Sequence, residues 1–448
     1  MEQNKIYLFE ECPVPKAVAV LAIPTILSSL VTVLYNLADT FFVGMINDPI
    51  QNSAVALAAP VLLAFTAVNN LFGIGTSSMM SRALGKKDYD TVRRSSVFGF
   101  YCAVFCSLMY SVLCLVFMDP LLKLLGTDAS TYYATYQYLK WAVVCGAPFS
   151  ILNVVLAFMV RSEGSALHAS IGTMSGCVMN IILDPLFILP QFLNMKAEGA
   201  ALATFISNVF ACGYFCVFLY IKRKETYVCV DPGKFSFDPQ IMRGIFNVGI
   251  PAAIQNLLNV TGMTIFNNFT SGYGPHAVAA MGIVQKVNNV PWTVCCGLSQ
   301  GIMPLVSYSY TNHDRKRMKK TVLFALTINV SMILVVSSCY FLFSPQVISF
   351  FMTDPQIVHH GSLLLRGFCL GLPFLAVDFM AVGVFQAIGL GRNSLFLAIA
   401  RKIILEIPAM VLLNHLFPLY GLGYSQLCAE LVLAVLGAVM LKKILTEQ

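Results

Sequence analysis

Charge is what this 448-residue chain has least of. Asp, Glu, Lys and Arg make up 11% of it against 58% apolar residues, a balance unlike that of a water-soluble domain. The signatures of hydrolytic and nucleotide chemistry are missing too: there is no GxxxxGKS/T loop, HExxH, GxSxG or GxGxxG. Nothing marks cleavage of a nucleotide, peptide or ester, and an enzyme is not expected. No CxxC occurs among the fourteen cysteines; scattered through apolar runs, they read as small packing residues rather than metal ligands or disulfides. The opening MEQNKIYLFEECPVPK lacks a basic stretch leading into a short apolar core, so no cleaved signal peptide is expected.

What the chain has instead is long hydrophobic runs from end to end, with a mean hydropathy of +0.76. They predict an all-α membrane protein of twelve transmembrane helices, at approximately 17–42, 53–78, 95–118, 136–160, 166–190, 199–221, 243–270, 277–305, 321–343, 362–388, 395–417 and 422–441. Such spans leave no room for an appended catalytic domain. The net charge of +7 calls for no nucleic-acid partner. Most Lys and Arg fall in alternate connections (82–94, 222–243, 315–320, 392–402), as they do when both termini are cytoplasmic. On this tally Lys286 is the single basic residue within a span.

The connection 221–242 is polar, charged and proline-bearing, and it divides the chain into an N-terminal six-helix lobe (1–220) and a C-terminal one (243–448). An internal repeat supports the division. Gly146, Pro148 and Phe149 recur as Gly371, Pro373 and Phe374 at one offset near half the chain length, with Pro24 echoed by Pro251 and Asp88 by Asp314 close to it. Two pseudo-symmetric bundles, related by an axis along the membrane normal, follow from that pattern.

The few polar groups inside the spans are the candidates for function. Asn180 and Asp184 stand four apart, on one helical face, in GTMSGCVMNIILDPLFILP. They can present an amide oxygen and a carboxylate to one cation or proton, and Pro185 behind them frees a backbone carbonyl a turn earlier. The bland alternative is an Asp capping a turn at the membrane surface. In the first span Thr32, Tyr35, Asn36 and Asp39 form a polar stripe, with Pro24 about four turns earlier as a point of bending. Asn153, Thr204 and Asn208 add oxygens that suit sodium or a proton better than zinc or copper. For Asn153 and Thr204, bonding between helices is the competing role. Asp378 occupies the repeat position of Asn153, while Lys286 and Glu406 are expected to pair with each other or with Asp378. At about 3 kcal/mol each near the bilayer centre, Asp39, Asp184, Lys286, Asp378 and Glu406 must be paired, neutralised or wetted. Gly172 and Gly176 form a GxxxG suited to close helix contact.

The stretches YNLADTFFVG (35–44), SRALGKKD (81–88), VRSEGS (160–165), MNIILDPLF (179–187), EGAALAT (198–204) and the 371–392 region resemble the multidrug and toxic compound extrusion (MATE) family, in its bacterial DinF-like and MepA-like branch. That resemblance implies two six-helix bundles exporting small organic cations or amphiphilic drugs across the bacterial plasma membrane by sodium or proton antiport. No other cofactor is implied, and a monomer is expected. It assigns Asp39, Asp184, Asn180, Asn153 and Thr204 to cation coupling, with sodium at Asp39, Asn180 and Asp184, and Pro24 to helix bending. Tyr35, Asn36, Asp378, Lys286 and Gln255 are the candidate substrate contacts; Gln255 stands where the NorM-like branch has an acid. The competing readings are a lipid-linked oligosaccharide flippase, which needs a basic cavity, and a channel or sensor.

Overall fold

The computed structural model describes residues 2–46 and 48–446, with side chains from residue 6 onward. Twelve long helical runs account for the spans: α1 (Val14–Gly44), α2 (Pro49–Gly85), α3 (Tyr89–Val116), α4 (Tyr132–Ser162), α5 (Ala166–Ile188), α6 (Lys196–Ile221), α7 (Pro239–Ser271), α8 (Pro275–Thr311), α9 (Arg315–Leu342), α10 (Pro355–Ile388), α11 (391–416) and α12 (Gly421–Thr446). Eight of them are long and apolar enough to cross a membrane on length and composition alone. The protein is an all-α, multi-pass membrane protein of twelve helices in two bundles. Most spans begin or end a few residues outside the ranges that hydropathy assigns, because helix ends run on into polar caps.

Those caps explain where the helices start. Asp48 accepts from the backbone N of Ile50 at 3.0 Å and is followed by Pro49 at the first helical position of α2, which has no N–H to lose. Asp88 accepts from Thr91 N at 3.1 Å at the head of α3, and Asp314 from Arg317 N at 3.0 Å at the head of α9. Each follows a residue in the left-handed region, Lys87 (φ 58°) and His313 (φ 59°). One turn-and-cap device thus appears at both repeat positions.

The chain forms two compact units. The first holds the chain up to Glu11 together with Leu27–Ala253, the second Cys12–Ile26 together with Ile254 onward. The division runs through helices α1 and α7, two residues after Pro24 and two residues after Pro251. Proline removes an i→i−4 hydrogen bond and crowds the preceding turn, so these are the points at which one continuous helix can serve two bodies. Residues 222–238 fold onto the first unit. Glu163, buried between α4 and α5, accepts from Thr226 Oγ1 at 3.0 Å and from Tyr227 N at 2.7 Å. Tyr89 and Tyr227 stack with ring centroids 5.0 Å apart, and Phe98 stacks on Phe235.

Within the first unit α5 lies against α6 through the GxxxG pair. A Cβ on Gly172 would meet the Phe215 ring at 2.4 Å, and one on Gly176 would meet Ala211 Cβ at 3.0 Å. That close approach sets Asn180 and Asp184, farther along α5, against Thr204 of α6.

Two stretches of π-helix interrupt the spans, Lys140–Cys145 in α4 and Ala400–Glu406 in α11. Each adds a residue to a turn and turns the next side chains toward a new face. In α11 this carries Arg401 and Lys402 into the interior, whereas the sequence tally places them in a connection.

Candidate ion and substrate sites

Asp184 is wholly buried and Asn180 is 1% exposed, which rules out a surface cap. With its amide nitrogen toward the carboxylate, the orientation that satisfies every neighbour, Asn180 donates to Asp184 Oδ2 at 2.8 Å. Its oxygen then accepts from Thr204 Oγ1 at 3.2 Å and Thr204 N at 3.1 Å. Helix α5 continues through Pro185 to Ile188, so the four-residue spacing keeps both side chains on one face as expected. From α1, Thr32 Oγ1 lies 3.7 Å from Cys177 Sγ, tying the polar stripe to α5. Tyr35 shares a hydrogen bond with Thr204 and lies within electrostatic reach of Asp39, Tyr138 and Asp184. Asp39 itself is partly buried and interacts with Asp184.

Asn153 joins the same network from α4. Its Nδ2 donates to Asn208 Oδ1 at 3.2 Å, and Asn208 Nδ2 donates to the carbonyl of Thr204 at 2.9 Å. Asn153 Oδ1 is buried with no hydrogen-bond partner, an acceptor with capacity left over. The groups around Asp184 that could hold a hard cation are all oxygens: two carboxylates, an amide and a hydroxyl. Neither Asp39 nor Asp184 meets a Lys or Arg among the described residues. Tyr138, 7% exposed and within reach of both acids, is a member that the sequence did not single out. Its span is rich in tyrosine, and no spacing marks one ring as the inward one. Asn36, on the same helix as Asp39, is exposed.

The second unit treats its acids differently. Arg401 Nε lies 2.8 Å from Glu430 Oε1, its Nη1 3.6 Å from Asp378 Oδ2, and its guanidinium stacks 4.6 Å from the centroid of Phe379. Lys402 Nζ binds Glu406 Oε1 at 2.7 Å. These pairs correct two expectations: Lys286 bonds neither Glu406 nor Asp378, and it is not the only basic residue within a span. Glu430, fully buried in α12, escaped notice in the sequence, where one acid in SQLCAELVL gives no hint of its partner. Gln255 Oε1 accepts from Gln386 Nε2 at 3.2 Å, and that nitrogen also lies 3.2 Å from Ser394 Oγ. Lys286 is exposed on α8. Among the described residues no cluster of His, Cys, Asp and Glu holds three metal-ligating side chains.

Long apolar helices around an acidic cluster that meets no basic side chain among the described residues, with a second ionic cluster closed on itself, define a polytopic membrane protein. The profile of the MatE family matches residues 24–186 and 251–412. The chain is 32% identical over 438 residues to "Multidrug export protein MepA" of Staphylococcus haemolyticus (strain JCSC1435), covering 98% of this chain and 95% of that protein. It is also 32% identical over 450 residues to the protein of that name from Staphylococcus aureus (strain MRSA252), covering 100% and 98%. Among solved structures, the outward-facing conformation of a multidrug resistance MATE family transporter of the MOP superfamily superposes with a TM-score of 0.93 at 25% identity, over 99% of this chain and 98% of that one. The chain belongs to the MatE family, a family of transporters rather than enzymes.

Proposed function

We propose that the protein exports cationic or amphiphilic drugs by antiport against sodium or protons. The observation that carries this reading is a buried Asp184 that interacts with Asp39 inside a membrane bundle, with no basic side chain to neutralise either among the described residues. Two interacting acids without a counter-charge in a low dielectric favour taking up a positive ion. In this reading Asn180, Thr204 and the spare oxygen of Asn153 complete the shell for sodium, or hold the carboxyls in place for a proton. Binding on the outer side draws α1 toward α5, bending it near Pro24. Coupling follows if the ion and the drug favour opposite states of that helix, since each then weakens the other's binding by the same factor.

Tyr35 and Asn36, both on α1, contact the drug. Asp378 and Gln255, engaged by Arg401 and Gln386, position the second unit's helices. Similarity to proteins named for multidrug export supports the substrate class, and the charge tally supports cytoplasmic termini in a bacterial plasma membrane. The protein acts as a monomer.

The test is dye efflux from proteoliposomes under an imposed sodium or pH gradient. One of the two gradients should drive uphill movement, and Asp39→Asn should abolish it while the protein remains monodisperse. Flux indifferent to both gradients would mean a channel, and full efflux by Asp39→Asn would remove the coupling assignment.

A further inference from the structure

Helix α8 is enclosed by the rest of its unit. Between Ala279 and Tyr310 every residue is buried or partly buried except two, Lys286 and Asn289, which stand three apart on one face. A helix that opens to hydrocarbon does so through Leu, Val or Phe. Here the opening is a lysine, three turns or more from either end of the helix, too deep for its ammonium to be left in lipid without cost. The opening therefore faces water.

The charge of Lys286 is also unanswered. All five described acids of the second unit are engaged elsewhere: Asp314 and Asp354 cap helices, Asp378 and Glu430 face Arg401, and Glu406 binds Lys402. Beside it, Gln285 Nε2 is a buried donor with no partner, and Gln285 lies one turn before Asn289. Ile283 and Val290, one turn before and after Lys286 on the same face, are partly exposed. The result is an ammonium and amide donors set in an apolar surround.

We propose that Lys286, with Gln285 and Asn289, seats an anionic group, a carboxylate or sulfonate, on an otherwise apolar exported compound. This rests on the export reading above and adds the chemistry of one end of the substrate. A planar or tetrahedral oxyanion takes charge-assisted hydrogen bonds from the ammonium and the amides, while its apolar body covers Ile283 and Val290.

Two dyes that differ at one group test it. Rhodamine 110 carries a free carboxylate, and rhodamine 123 is its methyl ester. Binding to the purified full-length protein is read by fluorescence polarisation. Wild type should bind both. Lys286→Gln should weaken rhodamine 110 about tenfold, the size of one charge-assisted contact, and leave rhodamine 123 unchanged or tighter. Lys286→Arg should hold rhodamine 110 near the wild-type value. Because the side chain is exposed, both variants should stay monodisperse. Equal change for the two dyes, or none, overturns the proposal. So does a wild type that binds the ester and ignores the acid, or ignores both; the export reading is then judged separately by the Asp39→Asn efflux measurement.

Discussion

Asp378 stands with Oδ2 3.6 Å from Nη1 of Arg401, whereas Asn153, at the repeat position in the first half, bonds only to another amide. The two bundles have thus resolved the same buried point in opposite ways. One closes it with a tethered cation. The other leaves Asn153 Oδ1 without a hydrogen-bond partner.

Removing the tethered cation should be severe. In Arg401→Gln, Asp378 and Glu430 are left facing each other in the interior, and stranding a buried charge typically costs about 3–5 kcal/mol. The melting temperature of the purified protein should fall by several degrees. Arg401→Gln combined with Glu430→Gln should recover part of the loss, since one fewer charge is stranded. A double variant no better than the single would show that packing on Phe379, not charge, is what Arg401 supplies.

Asn180→Ala separates positioning from charge in the first unit. The acids remain, but Asp184 loses its 2.8 Å donor and Thr204 its acceptor. A lost hydrogen bond to a charged group is worth about 1.5–3 kcal/mol, so the affinity for the coupling ion should drop by roughly tenfold or more. Drug binding without ion should be spared. The check is ion-dependent quenching of intrinsic fluorescence titrated with sodium and with protons, and only the true coupling ion should show the shift.

The sequence revealed these two clusters unequally, and the reason is geometric. Asn180 and Asp184 are four apart on one helix, and Thr32, Tyr35 and Asp39 share one stripe, so helical period alone puts each set together. The twelve spans are legible for the same reason, because hydropathy is a local property. Arg401 and Glu430 are on different helices, and their meeting depends on a π-helical turn that moves Arg401 inward. Nothing in GRNSLFLAIARKIILE announces that turn, so its basic residues read as the end of a connection. Tyr138 is illegible in the sequence for a similar cause: which of several tyrosines interacts with Asp39 is decided by packing between helices.

Glu163 is another buried acid, and its role is to hold a segment. Thr226 Oγ1, Tyr227 N and Ser165 Oγ all bond to its carboxylate, fixing the start of the connection that leads to α7. Glu163→Ala leaves those donors unpaired, and residues 222–238 should come away from the first unit. Trypsin should then cut at Lys222, Arg223 or Lys224 far faster than in wild type, with the fragments visible by gel. Glu163→Gln, which keeps one acceptor oxygen, should fall between the two. Cleavage rates unchanged in Glu163→Ala would mean that the Tyr89–Tyr227 and Phe98–Phe235 stacks suffice.

Two glycines predict opposite outcomes for one substitution. On α7, a Cβ at Gly249 would lie 2.1 Å from the carbonyl oxygen of Leu71, a backbone atom that cannot step aside without parting α7 from α2. Gly249→Ala should therefore lower stability by about 1–3 kcal/mol, the usual range for overpacking, or more because the obstacle is main chain. On α6, Gly213 is exposed and a Cβ there meets nothing within 4 Å. Gly213→Ala should instead raise stability by up to about 1 kcal/mol, since alanine loses less backbone freedom on entering a helix. Thermal denaturation of the two variants beside wild type checks both at once. If Gly249→Ala were as stable as Gly213→Ala, the close approach of α7 to α2 before Pro251 would not exist, and residues 239–253 would no longer belong with the first unit.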